Sequence, residues 1–293
     1  MKILVTGSKG QLGRCIQDVA KGYPEWQFVF TDYKELDITD SRAIENCFKE
    51  YKFDYCINCA AYTAVDLAES QVDKAYLINA EAVKTLAEAC SANNSKLIHI
   101  STDFVFDGKK TMPYTEEDKP RPLGVYGASK LLGESYVQDI LEEYFIVRTS
   151  WVYSEYGRNF MKTMLKLGNE NKEISVVNDQ VGSPTYAGDL ATFILFLITN
   201  KREEYGLYHY SNEGTISWYD FAVQIFKQFG MKVNVNPIPS KDYLTPAKRP
   251  DRSDLNTLKV KKSFEFQIYK WEDSLKKCSI NFKSTLNGHR ENQ

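Results

Sequence analysis

Three features of the sequence predict an α/β fold: a Rossmann-like, doubly wound parallel sheet with a smaller α/β C-terminal lobe. Apolar, strand-like runs alternate with helical patterns through the first half of the chain. A turn with glycines three apart closes the first run, and beyond Trp151 the regular alternation loosens. Parallel neighbours need crossover helices, so the alternation itself argues for this architecture.

The first strand, "KILVTG", leads into a helix from about Gln11. "QFVFTD" precedes a helix over Ser41 to Tyr51, and "YCINCAA" precedes one over Asp73 to Ala92. "KLIHIST" leads through a long loop to the helix containing "VYGASKLLGE", and "YFIVRTSWVY" closes the series as one strand. Helices follow at about Asn159 to Leu167, Asp189 to Thr199 and Tyr219 to Phe229, with a strand at "EISVVND" and four prolines between Pro237 and Pro250. The expected division is a dinucleotide-binding domain over 1–150 and a substrate lobe over 151–283, interleaved with the last strands of the sheet. The polar stretch 284–293 reads as a flexible tail.

Composition narrows the function. Among 293 residues, 37 Lys and Arg face 39 Asp and Glu, which is no basic footprint for nucleic acid. The start turns polar at Thr6, too early for a signal-peptide core, and "FILFLI" is roughly a third of a membrane span. A cytoplasmic protein is expected, and its six cysteines read as reduced thiols. Cys56 and Cys59 form a C-x-x-C, but on a strand residues three apart face opposite ways, and no second ligand pair accompanies them. No metal site is assigned.

Gly7, Gly10 and Gly13 lie where a strand meets a helix, as a pyrophosphate-binding turn requires, with backbone N–H groups at the positive helix end. Glycines alone would mark only a turn. Here an acid, Asp32, ends the second strand about twenty residues on, where a ribose hydroxyl is held. Asp37 serves either as a further polar contact near an adenine or as a helix N-terminal acid. Lys9 and Lys34 stand near enough in sequence to offset the charge of Asp32, so NADH and NADPH both remain open.

Tyr126 and Lys130 are four apart, one helical turn. An isolated Y-x-x-x-K is usually a surface pair. Downstream of a dinucleotide turn it gains a chemistry, because an ammonium beside a phenol would lower its pKa and let it exchange a proton with a substrate oxygen. Thr102, at the C-terminal end of the fourth strand, is placed to hydrogen-bond that oxygen.

"TGSKGQLG", "STDFVFDG" and "YGASK" together resemble the extended short-chain dehydrogenase/reductase family. More narrowly, "NCAAYTAVDLAES", "RTSWVYS", "NFMKTML", "NDQVGSPT", "GLYHYSNEG" and "RPDRSDLNT" resemble the dTDP-4-dehydrorhamnose reductases, from Met1 to about Trp271 and in order. That resemblance implies Tyr126 as proton donor, Lys130 as its partner and Thr102 as a substrate contact. It implies Gly10, Gln11 and Leu12 at the cofactor phosphates, Asp32, Asp37 and Ile38 at the adenosine, and Ala61, Tyr62 and Thr63 beneath the cofactor. Asp103 and Trp151 match sugar-nucleotide positions; Arg249 is either a diphosphate contact or a solvated side chain.

The implied reaction reduces the C4 ketone of dTDP-4-dehydro-L-rhamnose with NADPH or NADH, as part of cell-surface polysaccharide synthesis. Asp103 is followed by Phe104, so the Asp-Glu pair typical of the related dehydratases is missing. The resemblance also implies a homodimer and, in some relatives, a Mg2+ site whose ligands the sequence does not assign. Two rivals stand beside this reading: a reductase of another 4-keto sugar nucleotide, and a non-catalytic NAD(P)-binding regulatory subunit of the methionine adenosyltransferase type.

Overall fold

The structure, a computed structural model, describes residues 1–200 and 203–290, the last six as backbone only. Its first half runs β1 (Lys2–Thr6), α1 (Gln11–Ala20), β2 (Gln27–Phe30), α2 (Ser41–Tyr51), β3 (Tyr55–Asn58), α3 (Val65–Ala68) and α4 (Val72–Tyr76). After α4 come α5 (Ala82–Ala92), β4 (Lys96–Thr102), α6 (Val125–Ile140) and β5 (Tyr144–Thr149). The second half adds β6 (Val152–Tyr153), α7 (Phe160–Glu170), β7 (Glu173–Val177), β8 (Val181–Gly182), β9 (Thr185–Tyr186) and α8 (Ala187–Thr199). It ends with β10 (Gly206–His209), β11 (Ile216–Ser217), α9 (Trp218–Phe229), β12 (Asn234–Ile238), α10 (Leu258–Phe264) and α11 (Trp271–Arg290).

Six strands form one parallel sheet in the order β10-β5-β4-β3-β1-β2. The chain leaves β1 to one side for β2 and to the other for β3, which opens a crevice above their C-terminal ends. Its four inner strands are largely buried on both faces, as parallel sheets require, while the edge strand β2 is half-buried to exposed. One face packs on α1 and α8 around Ile3, Val5, Ile57 and Phe193. The other covers Leu4, Cys56, Leu97 and Ile146 with α2, α5 and α6. Register brings polar side chains to one edge: Thr6 lies opposite Asn58, Asn58 opposite His99, and Ser101 opposite Arg148.

The second half is interleaved with the first. It returns through α8 and β10 to complete the sheet, so residues of the second half lie in the first core. The other lobe holds the parallel β7–β12 pair with α7, α9 and α11 around Met161, Phe221 and Leu275. Helix α11 runs on to Arg290, through most of the stretch expected as a tail, and 291–293 lie outside the described residues.

Two expected elements are broken. The helix over 73–92 contains a π-helical turn, Leu77–Glu81. That turn carries Asn79, whose fully buried amide accepts from Tyr62 N (2.8 Å) and donates to Tyr62 O (3.0 Å) and Ser129 Oγ (3.1 Å). The strand "YFIVRTSWVY" stops at Thr149, because Trp151 takes a left-handed backbone conformation (φ 46°) and sends β6 to pair with β9.

Helix α6 presents Tyr126, Lys130 and Glu134 at intervals of four, one stripe toward the sheet. Glu134 Oε2 accepts from Arg148 Nη2 at 2.6 Å and Oε1 from Nε at 2.9 Å, with both side chains almost wholly buried. Ser101 Oγ adds a donor to Oε1 at 2.5 Å. Removing one member of such a pair leaves a buried uncompensated charge. Glu134→Leu is expected to cost about 3–5 kcal/mol, read as a lower urea midpoint.

Candidate active site

A cleft of about 1030 Å3 opens over the C-terminal ends of β1, β3 and β4. Gly7, Gly10, Gln11, Leu12, Gly13, Asp32, Asp37, Ile38, Ala61, Thr63, Thr102, Asp103, Tyr126, Lys130 and Trp151 all line it. Two expected residues do not. Tyr62 lies beneath the cleft wall, its hydroxyl turned to Gln71 Oε1 at 3.2 Å. Arg249 stands away from the cleft and forks onto Asp66, Nη1–Oδ1 3.1 Å and Nη2–Oδ2 2.9 Å, rather than being free for a diphosphate.

The glycine turn has the shape an anion site needs. Gly7 has φ 62°, and a Cβ there would meet Ala60 N at 2.7 Å, so only glycine lets the turn lie this close to the loop after β3. Helix α1 begins at Gln11 with Gly10 as N-cap and no side chain capping it, which leaves its first N–H groups facing the cleft. Asp32 accepts from Lys9 N at 2.9 Å, tying the second strand to the turn. Lys9 Nζ is paired with Glu35 at 2.6 Å. Asp37 accepts from Thr39 N and Oγ1, while Asp40, not Asp37, caps α2.

Around the tyrosine, approach is close for a second reason. A Cβ on Gly127 would fall 2.1 Å from Phe104 O, so the glycine after Tyr126 lets α6 press against the end of β4. Val125 N, in the first turn of α6, donates to Glu69 Oε1 at 2.9 Å. The Thr102 hydroxyl accepts from Phe104 N at 3.2 Å and donates to Asp103 Oδ1 at 3.1 Å, and it lines the cleft together with Tyr126.

The electrostatics differ from the sequence expectation. Burial pushes the Tyr126 phenol up to about 12, with Thr102 lowering it and Asp103 raising it further. Lys130 is pushed down to about 8, also chiefly by burial. Its Nζ donates to Ile100 O at 2.6 Å and meets His99 Nε2 at 3.3 Å. Thus the lysine is engaged with the sheet, and the phenol is not acidified by it. Asp103 is raised to about 6 by burial, and its Oδ2 has no partner among the described residues.

Sequence reasoning missed Asn79, Gln11's second role and, within the second lobe, Gly157, Arg158 and Asn159. Gln11 Oε1 accepts from Asn159 Nδ2 (2.8 Å) and Ser154 Oγ (3.1 Å), and Gly157, Arg158 and Asn159 help line the cleft. Trp151 stacks on Trp218 with ring centroids 3.4 Å apart. The "NFMKTML" motif and the buried polar position of Asn79 were the available signals. Among the described residues no three His, Cys, Asp or Glu side chains gather to hold a metal ion.

Comparison with known proteins follows the same outline. The family model described as the RmlD substrate binding domain matches residues 1–284. The chain is 41% identical over 285 residues to the dTDP-4-dehydrorhamnose reductase of Aggregatibacter actinomycetemcomitans, covering 94% of this chain and 97% of that one. It is similar to the crystal structure of a dTDP-4-dehydrorhamnose reductase from Clostridium acetobutylicum (TM-score 0.94, 43% identity, 97% of this chain and 100% of that one). It is likewise similar to the dTDP-4-dehydrorhamnose reductase of Bacillus anthracis in complex with NADP (TM-score 0.92, 42% identity, 96% and 99%).

Asp32 supplies the negative charge nearest the glycine turn, with Lys9 already neutralised by Glu35. Asp32→Ser is expected to weaken binding of a dinucleotide with a free ribose hydroxyl and to strengthen binding of its 2′-phosphorylated counterpart. Fluorescence titration of the two forms checks the opposite signs.

Proposed function

The chain belongs to the dTDP-4-dehydrorhamnose reductase family, and from that premise we propose that it reduces the C4 ketone of dTDP-4-dehydro-L-rhamnose to dTDP-L-rhamnose. The enzyme is an NAD(P)H-dependent oxidoreductase of dTDP-rhamnose synthesis. The observation that carries this reading is the placement of two hydroxyls, Thr102 at the end of β4 and Tyr126 at the start of α6, in one cleft that begins at the glycine turn.

The residues present fit the cofactor. The uncapped start of α1 and the close-packed Gly7 would take its diphosphate, and Asp32 its adenosine ribose. Gly10 to Gly13, Asp37, Ile38, Ala61 and Thr63 line the same groove, and Lys130 lies at its inner end. When bound, NAD(P)H supplies the hydride. Thr102 and Tyr126 hold the ketone oxygen between their hydroxyls, which fixes the carbonyl carbon and draws electron density onto the oxygen. Tyr126 then gives its proton to that oxygen. A donor whose pKa is raised remains protonated through neutral pH, so the phenol is loaded for the step without an ionised partner. Trp151 and the buried Asp103 offer the aromatic wall and the polar contact for the sugar nucleotide.

Among the described residues no helix is long and apolar enough to cross a membrane. Six free cysteines, four of them buried, support a reducing compartment, the cytoplasm.

Tyr126→Phe tests the reaction. Loss of the proton donor is expected to lower kcat by about 10^2–10^4-fold in an NAD(P)H absorbance assay with dTDP-4-dehydro-L-rhamnose, with cofactor affinity little changed. An unchanged kcat would remove the tyrosine from the mechanism, and no turnover by the unaltered chain would remove the reductase assignment. A pH series adds a sign. The phenol is half ionised only at about 12, so the wild-type kcat should show no fall assignable to Tyr126 ionisation from neutral pH until the pH nears that value.

A further inference from the structure

Thr149 ends β5 and lines the cleft, and the reaction above does not use it. It is 5% exposed, and its Oγ1 has no hydrogen-bond partner among the described residues. An unpaired buried hydroxyl is costly, and beside a binding cleft the partner it lacks is one a ligand can supply.

Strand alternation tells which side of the sheet this hydroxyl stands on. Ile98 and Ile100 of β4 and Val147 of β5 belong to the core shared with α1 and α8. Thr149, two residues past Val147, points to that side, as does Thr102, its partner in register. Ile100, Val152 and Leu190 pack on the same core and also line the cleft. On this side the cleft floor is thus apolar apart from two hydroxyls. That of Thr102 is already engaged with Asp103 Oδ1 and Phe104 N, which leaves Thr149 unpaired.

Helix α1, whose first N–H groups face the cleft, lies on that side too. Along the sheet order, the cleft lining passes from Asp32 after β2 to the glycine turn after β1. It continues through Ala61 and Thr63 after β3 and reaches Thr102 and Thr149 at the ends of β4 and β5. A dinucleotide with its adenosine at Asp32 and its diphosphate at α1 follows this line and brings its nicotinamide over β4 and β5. Nicotinamide is a flat, largely apolar ring with one polar substituent, the carboxamide. An apolar floor with one unpaired hydroxyl matches that chemistry. A sugar would turn several hydroxyls onto Ile100, Val152 and Leu190 and leave them without partners.

We propose that Thr149 is a cofactor-binding residue: its hydroxyl takes the carboxamide of the nicotinamide and fixes the rotation of the ring on the cleft floor. The inference rests on the reading of the cleft as an NAD(P)H site and adds to it the residue that orients the reactive ring. A hydroxyl donates and accepts, so it can meet the oxygen or the nitrogen of the carboxamide. Hydride leaves from one face of the ring. A ring free to turn about its bond to ribose presents either face, whereas a held carboxamide presents one.

Calorimetric titration of the full chain with NADH, ADP-ribose and dTDP-rhamnose tests the proposal without turnover. ADP-ribose keeps the adenosine, the diphosphate and both riboses but lacks the nicotinamide. Thr149→Val keeps the shape and removes the hydroxyl. It is expected to weaken NADH binding about tenfold and to leave ADP-ribose and dTDP-rhamnose unchanged, while Thr149→Ser retains the NADH affinity. Unchanged NADH affinity in Thr149→Val would overturn the proposal. So would an equal loss for NADH and ADP-ribose, which marks general damage, or a loss confined to dTDP-rhamnose, which gives the hydroxyl to the sugar. If Thr149→Val does not fold, methyl NMR of the wild type with NADH decides. The Thr149 methyl, assigned by its loss in Thr149→Ser, is expected to show an NOE to the nicotinamide protons, and its absence would overturn the proposal. Failure to reduce the dTDP-sugar would leave these outcomes untouched, and an NADH affinity indifferent to Thr149 would leave the reductase reading intact.

Discussion

Helix α6 must lie against the sheet although its inner stripe carries an ammonium-forming and a carboxylate side chain. The buried contact of Glu134 with Arg148 and Ser101 makes that possible. It joins the helix to β4 and β5 at once and satisfies charges that would otherwise oppose burial. One turn earlier Lys130 reaches Ile100 O, and one turn before that Gly127 permits backbone contact with Phe104. Three successive anchors therefore determine where the Tyr126 hydroxyl stands relative to Thr102. Asn79, spanning the loop after β3 and Ser129 of the helix, ties the cofactor side of the cleft to the same frame.

Burial then sets the proton inventory. The phenol goes up, the lysine goes down, the Asp103 carboxyl goes up and His99 stays neutral, each shift favouring the uncharged form. Low dielectric strengthens hydrogen bonds between neutral groups as much as it penalises isolated ions. The site therefore relies on oriented donors and acceptors as well as on charge. A ketone gains negative charge only as it is reduced, and donors already aimed at its oxygen meet that charge without rearranging.

The two lobes share the cleft. Gln11, at the start of α1, is held by Ser154 and Asn159 from beyond the sheet, while Trp151 leaves β5 through a left-handed turn and stacks on Trp218. A strained non-glycine backbone at this point costs about 1–3 kcal/mol and is offset by what it positions: an aromatic surface facing Thr102 and Tyr126 across one cavity. The wall proposed for the sugar nucleotide is thus tied mechanically to the turn proposed for the diphosphate.

Sequence by itself determined the sheet, the glycine turn with Asp32, and the Tyr126–Lys130 stripe. Each is a short-range pattern, a periodicity or a spacing, that local backbone geometry reads directly. The same was true of α2, legible to the residue from Ser41 to Tyr51. Only the tertiary structure decided the rest. The π turn at Asn79, the break at Trp151, the choice of α8 and β10 as the elements that return to the first core, and the engagement of Arg249 with Asp66 all depend on partners distant in sequence. So do the proton positions of the site, because spacing places a lysine beside a tyrosine but desolvation and distant hydrogen-bond partners decide which of them is charged.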